Sequence, residues 1–134
     1  MLMHRGCLLL FAVDVVVSLT SLAPALAFDD REFCVAARQF ALAASTDIGL
    51  WIDRTTRNAG MVVCCDTRQV EFQQFTNAAS LSMNERWKKR KGTEWNAAHC
   101  NSPIWIEAIR NNWNITLALT SADGSHMSFS ARCQ

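Results

Sequence analysis

The chain begins with an apolar leader, and this restricts the folded domain to the residues that follow the leader. A short basic start precedes an apolar run from Cys7 to Leu22, and the sequence Ala-Pro-Ala-Leu-Ala ends at Ala27. A basic start, an apolar run and small residues before a cleavage point are typical of an export signal. We therefore expect residues 1–27 to be removed as a signal peptide, and residues 28–134 to fold as one small domain.

A membrane anchor is the alternative to a cleaved leader, and Asp14 argues against it. A carboxylate at the centre of a spanning helix costs about 2.5–3.5 kcal/mol. The apolar pieces on either side of Asp14 are also shorter than the ~20 residues that a spanning helix needs. We expect no stable membrane anchor after cleavage and a location in the periplasm or outside the cell, two compartments that the sequence does not separate.

We expect disulfide bonds to supply part of the stability of so small a domain. The chain has 6 cysteines, of which only Cys7 lies in the leader, so the others reach an oxidising compartment. Cys100 and Cys133 are expected to pair, because one ends a predicted helix and the other ends the last strand on its apolar face. No Cys-x-x-Cys spacing occurs, so the sequence predicts neither a metal site nor a cofactor.

The second expected disulfide starts from Cys34, which lies beside the apolar stripe of the first predicted helix. Its partner is Cys65 or Cys64, neighbours that point to opposite faces of their strand. Cys65 shares a face with Met61 and Val63, and this favours the pairing of Cys34 with Cys65. The thiol left over is expected to be an unreactive free cysteine, with a reactive thiol or an intermolecular bridge as the alternatives.

Capping residues and apolar spacing predict two or three helices. Asp29 with Glu32 has the pattern of a capping box, and so does Ser82 with Glu85. Ser102 followed by Pro103 is typical of a third helix start. The predicted spans are 29–44, 82–100 with a break at Gly92, and 103–111.

Alternating apolar and polar residues predict the strands. The clearest are 113–120 and 126–133, which the Asp123-Gly124 turn joins into a hairpin. Three shorter strands are predicted over 49–53, 61–66 and 68–75, with residues 57–60 as a turn. The order of elements predicts an α+β domain: a mostly antiparallel sheet of about five strands, built from a three-strand meander and the hairpin, with the helices packed on one face and disulfides as staples.

The polar face of the hairpin is the first candidate binding surface. It suits a protein or peptide partner outside the cytoplasm, and we interpret the chain as a binding or inhibitor-type module rather than an enzyme. Asn114 also begins an Asn-Ile-Thr acceptor for glycosylation. The candidate residues on this face are Asn114, Thr116, Thr120, His126, Ser128, Ser130 and Arg132.

Two other functions compete with protein binding. A small secreted hydrolase of nuclease type would use His99 and His126 as acid and base. A binder of anionic surfaces would use the basic run of residues 86–91. The formal net charge is only +1, so the overall charge does not indicate a nucleic acid as the partner. The cations of the run are Arg86, Lys88, Lys89, Arg90 and Lys91.

Overall fold

The structure is a computed structural model that describes residues 27–78 and 83–134. The predicted signal peptide, apart from Ala27, therefore lies outside the described residues, and so does Ser82. The α+β class predicted from the sequence is confirmed. Its helices are α1 (Asp30–Ala44), α2 (Glu85–Cys100) and α3 (Pro103–Arg110), and its strands are β1 (Thr56–Cys64), β2 (Gln69–Thr76), β3 (Asn114–Ser121) and β4 (His126–Ser130).

The strands form one mixed sheet in the order β1-β2-β3-β4. The pairs β1/β2 and β3/β4 are antiparallel, as expected for hairpins, whereas β2 and β3 are parallel. Helices α2 and α3 lie between β2 and β3 in the chain. They make the long crossover that a parallel pair requires.

The described part of the sheet has four strands rather than five. The predicted strand over 49–53 is reduced to a single bridge between Trp51 and Arg57. The sequence prediction was also wrong about residues 57–60, which belong to β1. The register shifts between Asn58 and Gly60, and Gly60 has a φ of +131°. Glycine here permits a bulge that bends the strand without ending it.

Helix α2 is continuous, so the predicted break at Gly92 was wrong. The helix starts at Glu85, and the side chain of Asn84 caps it by accepting a hydrogen bond from the Trp87 N–H at 3.0 Å. A single glycine costs a helix only about 1 kcal/mol relative to alanine. Burial of Trp95 and His99 on the same helix offsets that cost. A Cβ at position 92 would be in ordinary van der Waals contact with the ring of Phe129, at 3.7 Å, so the approach of α2 to β4 does not require glycine.

All three helices pack on one face of the sheet. Buried side chains from α1, α2 and α3 join those of β2 and β3 in one core cluster, with Val70 and Ile115 fully buried at its centre. The cluster residues are Phe33, Cys34, Ala37, Val70, Trp95, Ala108, Trp113, Ile115, Leu117 and Ala131.

Two disulfides fasten the helices to the sheet, and they join the pairs that the sequence analysis favoured. Cys34 of α1 is bonded to Cys65, which follows β1, and Cys100 at the end of α2 is bonded to Cys133 near the end of the chain. Cys64 is free and exposed. The α+β layers therefore need not rely on apolar burial alone, which is limited in a domain of this size.

Candidate functional site

Helices α1, α2 and α3 all pack on one face of the sheet, and none of them lies on the opposite face. We call this opposite face the outer face. Cross-strand pairing arranges its side chains in rows that run across all four strands. Except for Gly60, every residue of these rows is exposed or half-buried. The rows are Val62-Glu71-Thr116-Ser130, Gly60-Gln73-Ala118-Ser128 and Arg57-Phe75-Thr120-His126.

The β3–β4 half of the outer face is polar. The predicted residues Thr116, Ser128 and Ser130 lie here, and Thr120 Oγ1 is 3.0 Å from His126 Nδ1. Asn114 opens β3 on the same face, paired with Gln69. The hydroxyls and amide of this half can donate and accept hydrogen bonds.

Arg132 lies apart from the other predicted residues of the face. It follows the end of β4, and its backbone N–H donates to Asn96 Oδ1 of α2 at 2.9 Å. The prediction placed this residue within the last strand, but the chain leaves the sheet after Ser130 and turns towards the Cys100–Cys133 bond.

The β1–β2 half of the outer face combines Arg57, Glu71 and Gln73 with exposed apolar side chains, and the sequence analysis missed the apolar ones. Four large side chains expose substantial fractions of their area: Ile48 54 %, Trp51 51 %, Val62 43 % and Phe75 37 %. We call these four residues the apolar strip. The bridge from Trp51 to Arg57 extends the row of Phe75 by one residue beyond β1. Part of this signal was present in the sequence, because Phe75 alternates with the inward-facing Val70 and Phe72.

Arg57 holds the indole of Trp51 in place at the edge of the apolar strip. Its guanidinium carbon lies 4.0 Å from the ring centroid, a cation–π contact worth about 0.5–1 kcal/mol at an exposed site. A ring that is already held loses less side-chain entropy on binding. Trp, Tyr and Arg are also the residue types that contribute most to the binding energy of protein interfaces.

The structure does not bring His99 and His126 together. His126 lies on the outer face, whereas His99 is 6 % exposed within the helical layer. The His99 ring packs against Trp95 at 4.0 Å between centroids, and against Phe72 and Trp105 at 5.4 Å each. Its Nδ1 lies 3.0 Å from the carbonyl oxygen of Trp95. Because the sheet separates the two imidazoles, they have no route for joint acid–base chemistry.

Burial gives His99 a predictable effect on stability. Desolvation lowers its pKa below 6.5, against the smaller opposing effect of the hydrogen bond to Trp95. Below about pH 6.5 the unfolded chain therefore takes up a proton that the folded chain refuses. We expect the free energy of unfolding to be independent of His99 above pH 7 and to fall as the pH drops from about 6.5 towards the folded pKa.

Urea unfolding at pH 7.5 and at pH 5.5 measures this effect. The His99→Phe variant should lose the His99 part of the decrease, and the exposed His126→Gln variant should retain it. An equal decrease in wild type and His99→Phe would assign the pH dependence to other groups.

The basic run of α2 is largely compensated by its own helix. Lys88 pairs with Glu85 at 2.9 Å, while Arg90 and Lys91 lie 3.9 and 3.7 Å from Glu94. Within the described part of the chain, only two of the five predicted cations, Arg86 and Lys89, have no ion pair. The run is therefore a weak candidate for binding an anionic surface. Trp87, within the run, packs towards Phe129 at 6.4 Å between ring centroids.

Comparison with known proteins finds similarity in fold and none in sequence. No protein-family model matches the chain, and no curated protein matches it in sequence. A candidate secreted protein of Pseudomonas aeruginosa superposes with a TM-score of 0.57 at 13 % identity, covering 81 % of this chain and 96 % of its own. A pilotin of the Vibrio vulnificus type 2 secretion system, EpsS, superposes with a TM-score of 0.58 at 10 % identity, covering 78 % and 94 %.

Two other features are lacking in residues 27–78 and 83–134. These residues contain no cluster of three or more potential metal ligands. They also include no helix that is both long and apolar enough to cross a bilayer. The outer face, with its apolar strip and polar half, is the candidate functional site.

Proposed function

We propose that this chain is a small exported protein that binds another protein outside the cytoplasm through its outer face. The observation that carries the proposal is the row Trp51-Arg57-Phe75 on a sheet face that no helix covers. A row of half-exposed aromatic side chains leaves apolar surface in contact with water, which is unfavourable for a monomer. Contiguous apolar surface of this kind is typical of interaction sites.

Export is supported by the leader and by the sulfur chemistry. Residues 1–27 have the pattern of a signal peptide. Two disulfides in one small domain fit an oxidising compartment such as the periplasm or the extracellular space. Both conditions hold for a protein that meets its partner after crossing a membrane.

The fold comparison favours a protein as the partner. One similar structure is a pilotin of a type 2 secretion system. A fold of this kind thus occurs in a secretion system, and we extend to this chain a role in contacting another exported protein. A nuclease-type hydrolase is not supported, because His99 and His126 lie on opposite sides of the sheet.

A capture experiment with matched variants tests the proposal. The oxidised mature protein is immobilised and exposed to the exported proteins of its host, and recovered proteins are quantified by mass spectrometry. We expect one stoichiometric partner that Trp51→Ala and Phe75→Ser each reduce by at least tenfold, since a central aromatic residue contributes about 2 kcal/mol or more to an interface.

Leu42→Ala is the matched control, because Leu42 is 74 % exposed on α1, a helix that packs on the other side of the sheet. It should retain the partner fully. Equal recovery with all three variants would show that the outer face is not the binding surface. Turnover of a substrate by the mature protein would instead favour the enzyme alternative.

A further inference from the structure

A second surface lies on the helical side of the domain, in a cleft between α1 and the turn that joins β1 to β2. Its volume is about 540 Å³. We call it the arginine cleft. The Cys34–Cys65 disulfide lines it together with side chains of both walls. Those residues are Asp30, Arg31, Val35 and Arg38 of α1, Asp66 and Arg68 of the turn, and Trp113.

Helical spacing puts Arg31, Val35 and Arg38 on one side of α1, since positions i, i+4 and i+7 lie on the same face. Seven residues of helix separate the Cα atoms of the two arginines by about 10.5 Å along the axis. Val35 lies between them and is 43 % exposed. The helical wall of the arginine cleft is therefore an apolar side chain flanked by two guanidinium groups.

The guanidinium groups of Arg31 and Arg38 on the helical wall have no carboxylate partner among the described residues, whereas that of Arg68 is already paired. Arg68 binds the carboxylate of Asp30 at 2.6 Å, and Asp30 also accepts a hydrogen bond from Trp113 Nε1 at 2.8 Å. Arg31 and Arg38 are exposed and form no ion pair with any described residue. Asp66, on the opposite wall, is exposed and likewise has no ion pair there.

Charge and shape together select the occupant. A guanidinium binds a carboxylate through two parallel hydrogen bonds, and this geometry favours carboxylates over other acceptors. An extended peptide advances about 3.3 Å per residue and its side chains alternate between two sides, so two carboxylates and a residue between them share one side when the carboxylates are four residues apart, about 13 Å. Two long arginine side chains that diverge from Cα positions about 10.5 Å apart span this separation. An apolar residue between them would meet Val35 and the disulfide.

We propose that the arginine cleft binds an acidic, extended segment of a partner protein, with two carboxylates four residues apart and an apolar side chain midway between them. The site is distinct from the outer face, because α1 packs on the opposite side of the sheet. Its occupancy does not depend on the outer-face proposal, and the two can fail separately.

An NMR titration of the oxidised protein with acetyl-Glu-Ala-Leu-Ala-Glu-amide at low ionic strength tests the proposal. We expect shifts centred on the backbone N–H groups of Arg31, Val35 and Arg38. The double variant Arg31→Gln/Arg38→Gln should weaken binding by about tenfold or more, because it removes two charge-assisted contacts. Asp66→Asn should tighten binding by about twofold, because it removes a nearby like charge.

Lys89→Gln on α2 is the matched control for loss of a cation, and it should leave the affinity unchanged. A peptide with lysine in place of both glutamates should not bind wild type but should bind the Arg31→Glu/Arg38→Glu variant. The proposal is overturned if the shifts map to α2, if the lysine peptide binds wild type equally well, or if both arginine substitutions leave the affinity as it was. Tighter binding of inorganic polyphosphate at the same residues would also overturn it, by assigning the cleft to phosphate.

Discussion

Replacing Trp113 with alanine is expected to lower the free energy of unfolding by about 3–5 kcal/mol, the range for large-to-small changes of buried aromatic residues. Trp113 is 3 % exposed, and its ring lies 4.6 Å from that of Phe33 between centroids. Its Nε1 also donates to Asp30. The substitution therefore leaves a cavity between α1 and β3 and removes a hydrogen bond to a half-buried carboxylate.

Urea unfolding followed by circular dichroism measures the loss, and two further variants separate its causes. Trp113→Phe keeps most of the ring but not the donor, so it should cost about 1–2 kcal/mol through the hydrogen bond to Asp30. Trp51→Ala removes a half-exposed indole and should cost less than about 1 kcal/mol. Equal destabilisation by Trp51→Ala and Trp113→Ala would contradict the assignment of Trp113 to the core and Trp51 to the surface.

Removing the Cys100–Cys133 bond is the second large effect that we expect. The two cysteines are 33 residues apart in sequence. Closing a loop of this length restricts the unfolded chain and stabilises the fold by about 3–4 kcal/mol in the chain-entropy model. The Cys100→Ser/Cys133→Ser variant should lose about that much free energy of unfolding. Thermal unfolding of the oxidised wild-type protein and of the oxidised variant measures the difference, because a reducing agent would also open the Cys34–Cys65 bond.

Cys64→Ser is the control that isolates the effect of the disulfide. Cys64 is exposed and free, so its substitution should change stability by less than about 0.5 kcal/mol. If Cys64→Ser destabilised the protein as much as the double variant, Cys64 would have to be a bridging residue. Peptide mapping of the oxidised protein would then show a bond from Cys64 in place of the bond from Cys65.

Local patterns predicted the C-terminal half of the fold well. Alternation over β3 and β4 assigned each residue to a face, because successive side chains of a strand point to opposite sides. Pro103 begins α3, and the end predicted at Asn111-Asn112 is confirmed. Asn112 has a φ of +65°, in the left-handed region that asparagine tolerates at helix ends. These features depend on neighbours in sequence, and a single chain displays them.

The errors arose where packing overrode local preference. Glycine at position 92 predicted a break, but α2 continues because Trp95 and His99 are buried beyond it. Residues 57–60 have the composition of a turn, but pairing with β2 keeps them in a strand with a bulge. At position 92 the burial of large side chains, about 1.5–3 kcal/mol each, exceeds a local cost of about 1 kcal/mol.

The sequence by itself determined the α+β class, the two favoured disulfide pairs and the polar half of the outer face, and it predicts export from the cytoplasm. It could do so because strand alternation, helix caps and leader composition are local properties. Only the tertiary structure decided that β2 and β3 run parallel, that Trp51, Arg57 and Phe75 form one row, and that Arg31 and Arg38 flank a cleft. Those arrangements join residues far apart in the chain, and the energy that selects them comes from packing the helices and the sheet together.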